Sequence, residues 1–282
     1  MSSGQRSGIS RIVKGISVID GAGVRLHRII GSPRLDHIDP FVLFDEFKSD
    51  NPNDYIAGFP DHPHRGIETI TYMIDGSFRH RDSRGGGGVL SPGCVQWMTA
   101  GRGIIHSEMP EKSDGSLWGY QLWLTLSAED KMIEPRYQHL NSEDIPVVEQ
   151  DGIRAKLISG TYRGIRGPAL TQFPVQYFDV TLQKDSRFEP PRSEGANSFL
   201  YVHSGAAAVE ANGSLQPVSA GELALIDDQS RIRVHSTEKT CGLLYLSAVP
   251  LNEPIVRGGP FVMNSEEQIR QAFRDYQTGK LF

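Results

Sequence analysis

The sequence has little cysteine and no long apolar segment. Its 282 residues include two cysteines, Cys94 and Cys241, which are far apart and form no C-x-x-C motif. This excludes a disulfide framework and predicts two buried thiols in a reducing compartment. No apolar run approaches the length of a membrane span, and residues 1–15 lack the apolar stretch of a signal peptide. We therefore expect a cytoplasmic protein with no membrane partner.

The sequence also lacks an excess of positive charge. It contains 29 Lys and Arg against 34 Asp and Glu, which gives a net charge of −5. This balance argues against a protein that binds nucleic acid directly through a broad basic face. It leaves a protein partner open.

Helix signals are scarce, whereas strand signals are frequent. Short runs rich in β-branched and aromatic residues recur, for example at Ile67–Ile74, Gln176–Leu182 and Phe199–His203. Between such runs, Asp75-Gly76 and Asn212-Gly213 have the composition of two-residue hairpin turns. Many short strands with frequent turns predict an all-β sandwich or barrel.

One short C-terminal helix is predicted with clear start and stop signals. Asn264 or Ser265 is placed to cap it, and Gly279 follows its last apolar position. Its apolar positions at helical spacing are Ile269, Ala272, Phe273 and Tyr276. A weaker helix is predicted near Ala128–Met132.

The chain divides into two β-rich blocks of similar length. A polar stretch at 141–150 separates them, and both blocks are rich in hairpin signals. We therefore predict two domains, 1–145 and 146–282, and a duplicated barrel, although no direct repeat is visible.

Four histidines lie within 45 residues, and two short motifs among them have ligand spacing. His62-Pro63-His64 and His106-Ser107-Glu108 each place two polar side chains at positions i and i+2. On a strand such positions share one face. A sheet that brings the motifs together presents three imidazoles and one carboxylate, a plausible ligand set for a divalent transition metal. The alternative is a group of hydrogen-bonded polar residues without a metal.

Other aromatic and basic residues allow two interpretations. The tryptophans lie in the core or line a cavity for an aromatic ligand. They are Trp97, Trp118 and Trp123. Arg65 and Arg102 flank the two motifs and either attract an anionic ligand or lie solvated on the surface. His80 is expected at the barrel mouth or on the surface.

Four segments resemble those of the pirin family of cupins. Phe59–Thr69 resembles the first cupin motif as pirins have it, and Gln96–Pro110 resembles the second. Asp39–Phe47 is similar to the segment just upstream, and Gly258–Asn264 is similar to the C-terminal signature. The resemblance spans the whole chain.

This resemblance implies two tandem cupin barrels, each a jelly-roll or double-stranded β-helix, with one metal in the N-terminal barrel. The implied metal ligands are His62, His64, His106 and Glu108. Ordinary cupins take their carboxylate from the first motif, here Glu68, which then becomes a residue that orients a ligand imidazole or a substrate group. The implied metal is Fe(II), although imidazole also suits other divalent transition metals. In the second barrel His203 and His235 stand alone, so no metal is expected there.

The resemblance implies two functions of different classes. One is a quercetin 2,3-dioxygenase acting on flavonol-like chelating aromatics and O₂, with Glu108 as the base that removes the substrate hydroxyl proton. The other is a non-catalytic, redox-sensitive regulator that binds a transcription factor or a metabolic enzyme. A Lewis-acid enzyme such as a cupin isomerase ranks third. For a chain with two barrels, a monomer is the simplest expectation.

Overall fold

The computed structural model describes residues 8–111, 115–227 and 231–282. The chain is mostly β and forms two compact units. Unit A comprises Ile16–Ser142 and Leu251–Phe282. Unit B comprises Glu143–Pro250 and the described part of residues 1–15. Each unit thus includes a segment from the other half of the sequence, and a division at residue 145 stays a prediction about domains.

Unit A contains a seven-stranded and a four-stranded antiparallel sheet. The seven strands in spatial order are β12 (Arg136–Leu140), β9 (Val95–Thr99), β6 (Ile67–Asp75), β11 (Leu117–Thr125), β4 (Phe41–Ser49), β3 (Val24–Ile30) and β2 (Ile16–Asp20). The four strands are β5 (Phe59–His64), β10 (Ile104–Pro110), β7 (Phe78–Asp82) and β8 (Gly87–Leu90). The unit is completed by a 3₁₀ turn (Pro52–Asp54), the hairpin β25 (Val256–Gly258) and β26 (Phe261–Met263), and helix α1 (Glu266–Gln277).

Unit B repeats this plan with its own two sheets. Its seven strands in spatial order are β1 (Ile9–Lys14), β22 (Glu222–Ile226), β19 (Asn197–Ser204), β24 (Thr240–Ala248), β17 (Val175–Gln183), β14 (Ile153–Ser159) and β13 (Val147–Gln150). Its four strands are β18 (Arg187–Phe188), β23 (Arg233–Ser236), β20 (Ala206–Ala211) and β21 (Ser214–Ser219). A short hairpin is formed by β15 (Thr161–Tyr162) and β16 (Ile165–Arg166), and a 3₁₀ turn (Ser142–Asp144) precedes β13.

The two predicted hairpin turns have different outcomes. Asn212 and Gly213 both have positive φ and connect the paired strands β20 and β21, as a two-residue turn requires. Asp75-Gly76 also turns the chain, but the strands it connects join different sheets: β6 pairs with β9 and β11, and β7 with β8 and β10. The prediction of a hairpin there was wrong because turn composition reports a reversal and not which strand pairs with which.

The predicted C-terminal helix is confirmed and the weaker helix is wrong. Ser265 caps α1, and its side chain accepts from the amide of Gln268. On the predicted apolar face, Ile269 and Ala272 are buried. The segment Ala128–Met132 forms turns instead of a helix. It is too short to repeat a helical period, and Pro135 follows closely.

The described helices include none that is long and apolar enough to cross a membrane. Both cysteines are buried and free, as the sequence predicted.

Candidate metal centre

The two histidine motifs meet because strands β5 and β10 pair side by side. In this antiparallel pair His62 lies directly opposite His106. Opposite residues project to the same face, and His64 shares that face because it is two positions from His62. A register shift follows, so that Glu108 lies opposite Phe59. The sheet therefore brings both motifs to one site.

Three imidazoles form a compact cluster, which we call the triad: His62, His64 and His106. Their ligand nitrogens all lie within 4.8 Å of one another. The ring centroids are 4.4 Å apart for His62 and His106, 4.8 Å for His62 and His64, and 5.1 Å for His64 and His106. This is a donor set that suits a divalent transition metal.

Backbone carbonyls orient two of the three rings. His62 Nδ1 lies 2.8 Å from the carbonyl oxygen of Pro60, and His64 Nδ1 lies 3.2 Å from that of Pro260. A carbonyl only accepts, so each Nδ1 donates and each Nε2 keeps a lone pair. This second hydrogen bond is the usual way in which proteins fix the tautomer of a ligand histidine.

His106 provides the test of whether a metal fits. Both of its ring nitrogens are buried, and neither has a hydrogen-bond partner among the described residues. Burial, aided by the neighbouring imidazoles, lowers the pKa of His106 well below its usual value of 6.5. Burial also lowers the pKa of His64 well below that value. Neutral imidazoles are the ligating form, and an ion would satisfy one of the two unpaired ring nitrogens of His106. The triad therefore fits a metal.

Glu108, the predicted carboxylate ligand, is close to the triad but not within its 4.8 Å group. Its side chain is buried, and together with His62 and His64 it lines a pocket that is described below. One carboxylate oxygen accepts from Thr71 Oγ1 at 2.7 Å, and the other from Gln121 Nε2 at 3.0 Å. These neutral donors hold the carboxylate beside the triad, and its role as ligand and base stays a prediction.

Glu68 is fully buried on β6 and is hydrogen-bonded to Thr99. Its Oε1 accepts from Thr99 Oγ1 at 2.7 Å, and its Oε2 has no hydrogen-bond partner among the described residues. Burial raises the pKa of Glu68 above 4.5. Its predicted role in orienting an imidazole or a substrate group stays a prediction.

Sequence reasoning missed a buried His–Tyr pair next to the triad. His80 is not at the surface: it is buried on β7, with its ring centroid 5.4 Å from that of His106 and 4.7 Å from that of Tyr137. Its Nε2 is 3.8 Å from the carboxylate of Asp82, too far for a hydrogen bond. Strand pairing explains the position, because His80 lies opposite Glu108.

The C-terminal segment supports the site through contacts that the sequence did not reveal. Besides the bond from His64 to Pro260, buried Lys131 donates from Nζ to the carbonyl oxygens of Gly66 (2.9 Å) and Val262 (2.8 Å). These contacts join residues up to 196 positions apart, so no local sequence pattern predicts them.

Arg65 also links the C-terminal segment to the strand that carries His62 and His64. It is buried, forms an ion pair with Asp275 of α1 at 2.7 Å, and donates to the carbonyl oxygen of Leu281 at 2.9 Å. Neither predicted interpretation of Arg65 was correct, since it is neither solvated nor open to a ligand. Arg102 pairs with Glu134 at 3.1 Å on the surface, which agrees with the surface interpretation.

A pocket of about 590 Å³ opens beside the triad. Its lining includes His62, His64 and Glu108. Trp123 lies edge-on to His64, with ring centroids 4.8 Å apart, so this tryptophan is a cavity wall, whereas Trp97 is buried in the core. The apolar lining residues are Leu26, Leu43, Phe47, Phe59, Phe78 and Trp123. Such walls suit a planar aromatic ligand.

Within the described residues, unit B has no comparable group of three ligand side chains. His235 Nε2 lies 3.0 Å from Glu210, and His203 Nε2 lies 3.4 Å from Asp179. Each of these two histidines is thus engaged with a carboxylate.

The two-unit β architecture and the triad define the class as a cupin-type two-domain protein. The Pirin family profile matches residues 23–124, and the Pirin C-terminal cupin domain profile matches residues 177–282. The chain belongs to the pirin family.

Relatives and solved structures agree with this assignment. A pirin-like protein of Caulobacter vibrioides is 44% identical over 275 residues, covering 96% of this chain and 98% of the relative. The structure of quercetin 2,3-dioxygenase from Acinetobacter baumannii matches with a TM-score of 0.88 at 30% identity and covers 98% of both chains. A bacterial pirin from Escherichia coli in complex with nickel(II) has a TM-score of 0.68 at 20% identity, covering 85% of this chain and 99% of that one, a likeness in fold alone.

Proposed function

We propose that this chain is a metal-dependent dioxygenase that acts on flavonol-like aromatics, with Fe(II) as its metal. The observation that carries the proposal is the triad beside an aromatic-lined pocket, with His62 and His64 in the pocket wall. A purely structural metal needs neither that opening nor those walls. A quercetin 2,3-dioxygenase with the same fold supports the choice of substrate class.

The residues have distinct roles in this proposal. His62, His64, His106 and Glu108 hold the metal, which supplies redox chemistry with O₂ and Lewis acidity toward chelating oxygens. Trp123 and Phe78 position the aromatic rings and exclude water from the apolar part of the pocket. Glu108 takes the proton of the flavonol hydroxyl, since its carboxylate is held in the pocket by Thr71 and Gln121.

The test is oxygen uptake with quercetin on protein loaded anaerobically with Fe(II). Wild type should consume O₂, and His106→Ala should not. His139→Ala is the matched control, because His139 is exposed on β12 in the same unit. Uptake that survives in His106→Ala, or that is absent from fully loaded wild type, would refute the dioxygenase proposal.

A redox-sensitive regulatory protein is the second candidate, and one observation favours it. The buried Arg65, which follows His64, is ion-paired with Asp275 of the surface helix α1. A change at the metal therefore has a short physical route to an exposed helix that a protein partner can contact. Amide hydrogen exchange in α1 should differ between the ferrous and ferric forms, and identical exchange would contradict this function.

In either function we propose a monomer located in the cytoplasm. The two buried free cysteines and the lack of a long apolar run support the location, and the presence of two barrels in one chain supports the monomer.

A further inference from the structure

Two arginines lie in the pocket wall, and Arg257 lacks the carboxylate partners that Arg28 has. Arg257, on β25, is exposed and lines the pocket. Among the described residues, no carboxylate lies within ion-pair distance of it. Its Nη1 donates to the carbonyl oxygen of Val42 at 3.3 Å, and its Cζ lies 5.3 Å from the ring centroid of Trp123. The guanidinium is thus held against an aromatic face with most of its donors unused.

The neighbouring arginine, Arg28, has two carboxylate partners. Arg28 forms a two-pronged pair with Asp45, at 3.0 and 2.7 Å, and its Nη2 also lies 2.6 Å from Asp20. With two carboxylates already on Arg28, an incoming anion gains little there. Although Arg257 is exposed as a residue, the pocket partly desolvates its guanidinium, and this desolvation together with the charge of Arg28 lowers its pKa. The carboxylates of Asp45, Asp36 and Asp20 act on this pKa in the opposite direction. A bound anion would offset the charge of Arg28 at Arg257.

Arg257 is one aromatic ring away from the triad. The Trp123 ring centroid is 4.8 Å from the ring of His64 and 5.3 Å from Cζ of Arg257. The guanidinium therefore lies within about 10 Å of a triad imidazole. A ligand of two or three fused or linked rings spans such a gap along the face of Trp123.

We propose that Arg257 determines ligand specificity by binding the carboxylate of an aromatic acid whose other end carries chelating oxygens at the triad. The triad end of this inference rests on the proposed function. The carboxylate end rests on Arg257 alone, since a guanidinium forms a paired hydrogen bond with a carboxylate. The preferred ligand class is therefore a planar aromatic acid with a metal-chelating group, rather than a neutral flavonol.

The test compares two probes on the Fe(II)-loaded full chain without oxygen. The probes are 3-hydroxyflavone and the same flavone with a carboxylate on its phenyl ring, and binding is followed by tryptophan fluorescence. Wild type should prefer the carboxylate probe by about tenfold, which corresponds to about 1.4 kcal/mol. Arg257→Gln should reduce this ratio to near one. Arg270→Gln, which removes the same charge from exposed α1, should keep the tenfold ratio.

Two outcomes would overturn the inference. One is equal binding of both probes by wild type, and the other is an unchanged preference in Arg257→Gln. The measurement needs no turnover, so it separates the two proposals. A carboxylate preference that Arg257→Gln abolishes, in a protein that consumes no O₂, supports the anion site and refutes the dioxygenase.

Discussion

Replacing Asp275 by Asn should loosen the C-terminal helix α1 from Arg65, the residue that follows His64. Asp275 lies on α1 and pairs with the buried Arg65 at 2.7 Å. The substitution keeps the shape and a hydrogen-bonding oxygen but removes the charge. Arg65 then remains buried with only neutral acceptors, which are the carbonyl oxygens of Arg102 and Leu281 and the amide oxygen of the new side chain. A buried guanidinium without its counter-charge destabilises the folded state.

The expected loss of stability follows from the hydrogen bond between Arg65 and Asp275, which the substitution weakens. A bond to a charged partner contributes about 1.5–3 kcal/mol, roughly twice a neutral one. Because a neutral hydrogen bond and two carbonyl acceptors remain, we expect Asp275→Asn to lower the free energy of unfolding of unit A by about 1 kcal/mol. For a unit of this size that corresponds to a fall in melting temperature of about 3 °C.

The pH dependence gives an independent check. The hydrogen bond from Arg65 holds the pKa of Asp275 below 3.8. The folded state therefore binds this proton less tightly than the unfolded state. The stabilisation is present above the unfolded pKa and is lost as the pH falls through the folded pKa. The difference between wild type and Asp275→Asn should be constant from about pH 7 to pH 5 and should shrink below about pH 4.

The assay is differential scanning calorimetry of both proteins across this pH range. Glu267→Gln is the control, because Glu267 is on the same helix but forms exposed ion pairs with Arg270 and Arg274. Such surface pairs contribute little, so the control should melt like wild type. If Asp275→Asn and Glu267→Gln melt at the same temperature, the pair with Arg65 does not anchor α1 and the reasoning is wrong.

Three further predictions concern the metal site. His106→Ala should lose bound metal in elemental analysis after dialysis, whereas His139→Ala should retain it; retention in both would contradict the triad. Since burial lowers the pKa of His64 and His106, these two imidazoles are already neutral at about pH 6, so metal binding there should release at most one proton per ion from the triad; release of two or more would contradict neutral imidazoles at His64 and His106. Gly66→Ala should reduce stability and metal content together, because φ is +77° and the new Cβ would clash with the carbonyl oxygen of Val262; wild-type melting and metal content would contradict this.

Local patterns predicted the parts of the site that lie on paired strands. The two i, i+2 motifs were sufficient because a strand fixes which side chains share a face, and pairing of β5 with β10 then brings His62, His64 and His106 together. The same parity would have predicted His80, had the pairing of β7 with β10 been known. Strand pairing depends on contacts along the whole sheet, and single motifs do not encode it.

Long-range support was not predictable in the same way. The residues that orient and anchor the site from afar, Pro260 and Asp275, carry no motif for that role. A backbone carbonyl is available at every position, so only the folded path of the chain selects Pro260. Neither interpretation of Arg65, an anionic ligand or a solvated surface, included a buried ion pair, because its partner is 210 positions away. Similarly, the Asp75-Gly76 turn was visible, but the sheet that β7 joins was not.

Unit A is built from two segments that the ribosome synthesises at widely separated times. The triad is translated by residue 106, yet the carbonyl that orients His64 belongs to Pro260. All of 143–250, which belongs to unit B, is synthesised in between. A nascent chain therefore carries three histidines long before it has the segment that fixes their geometry. Metal insertion into the finished site is thus an event that follows translation of β25 and β26.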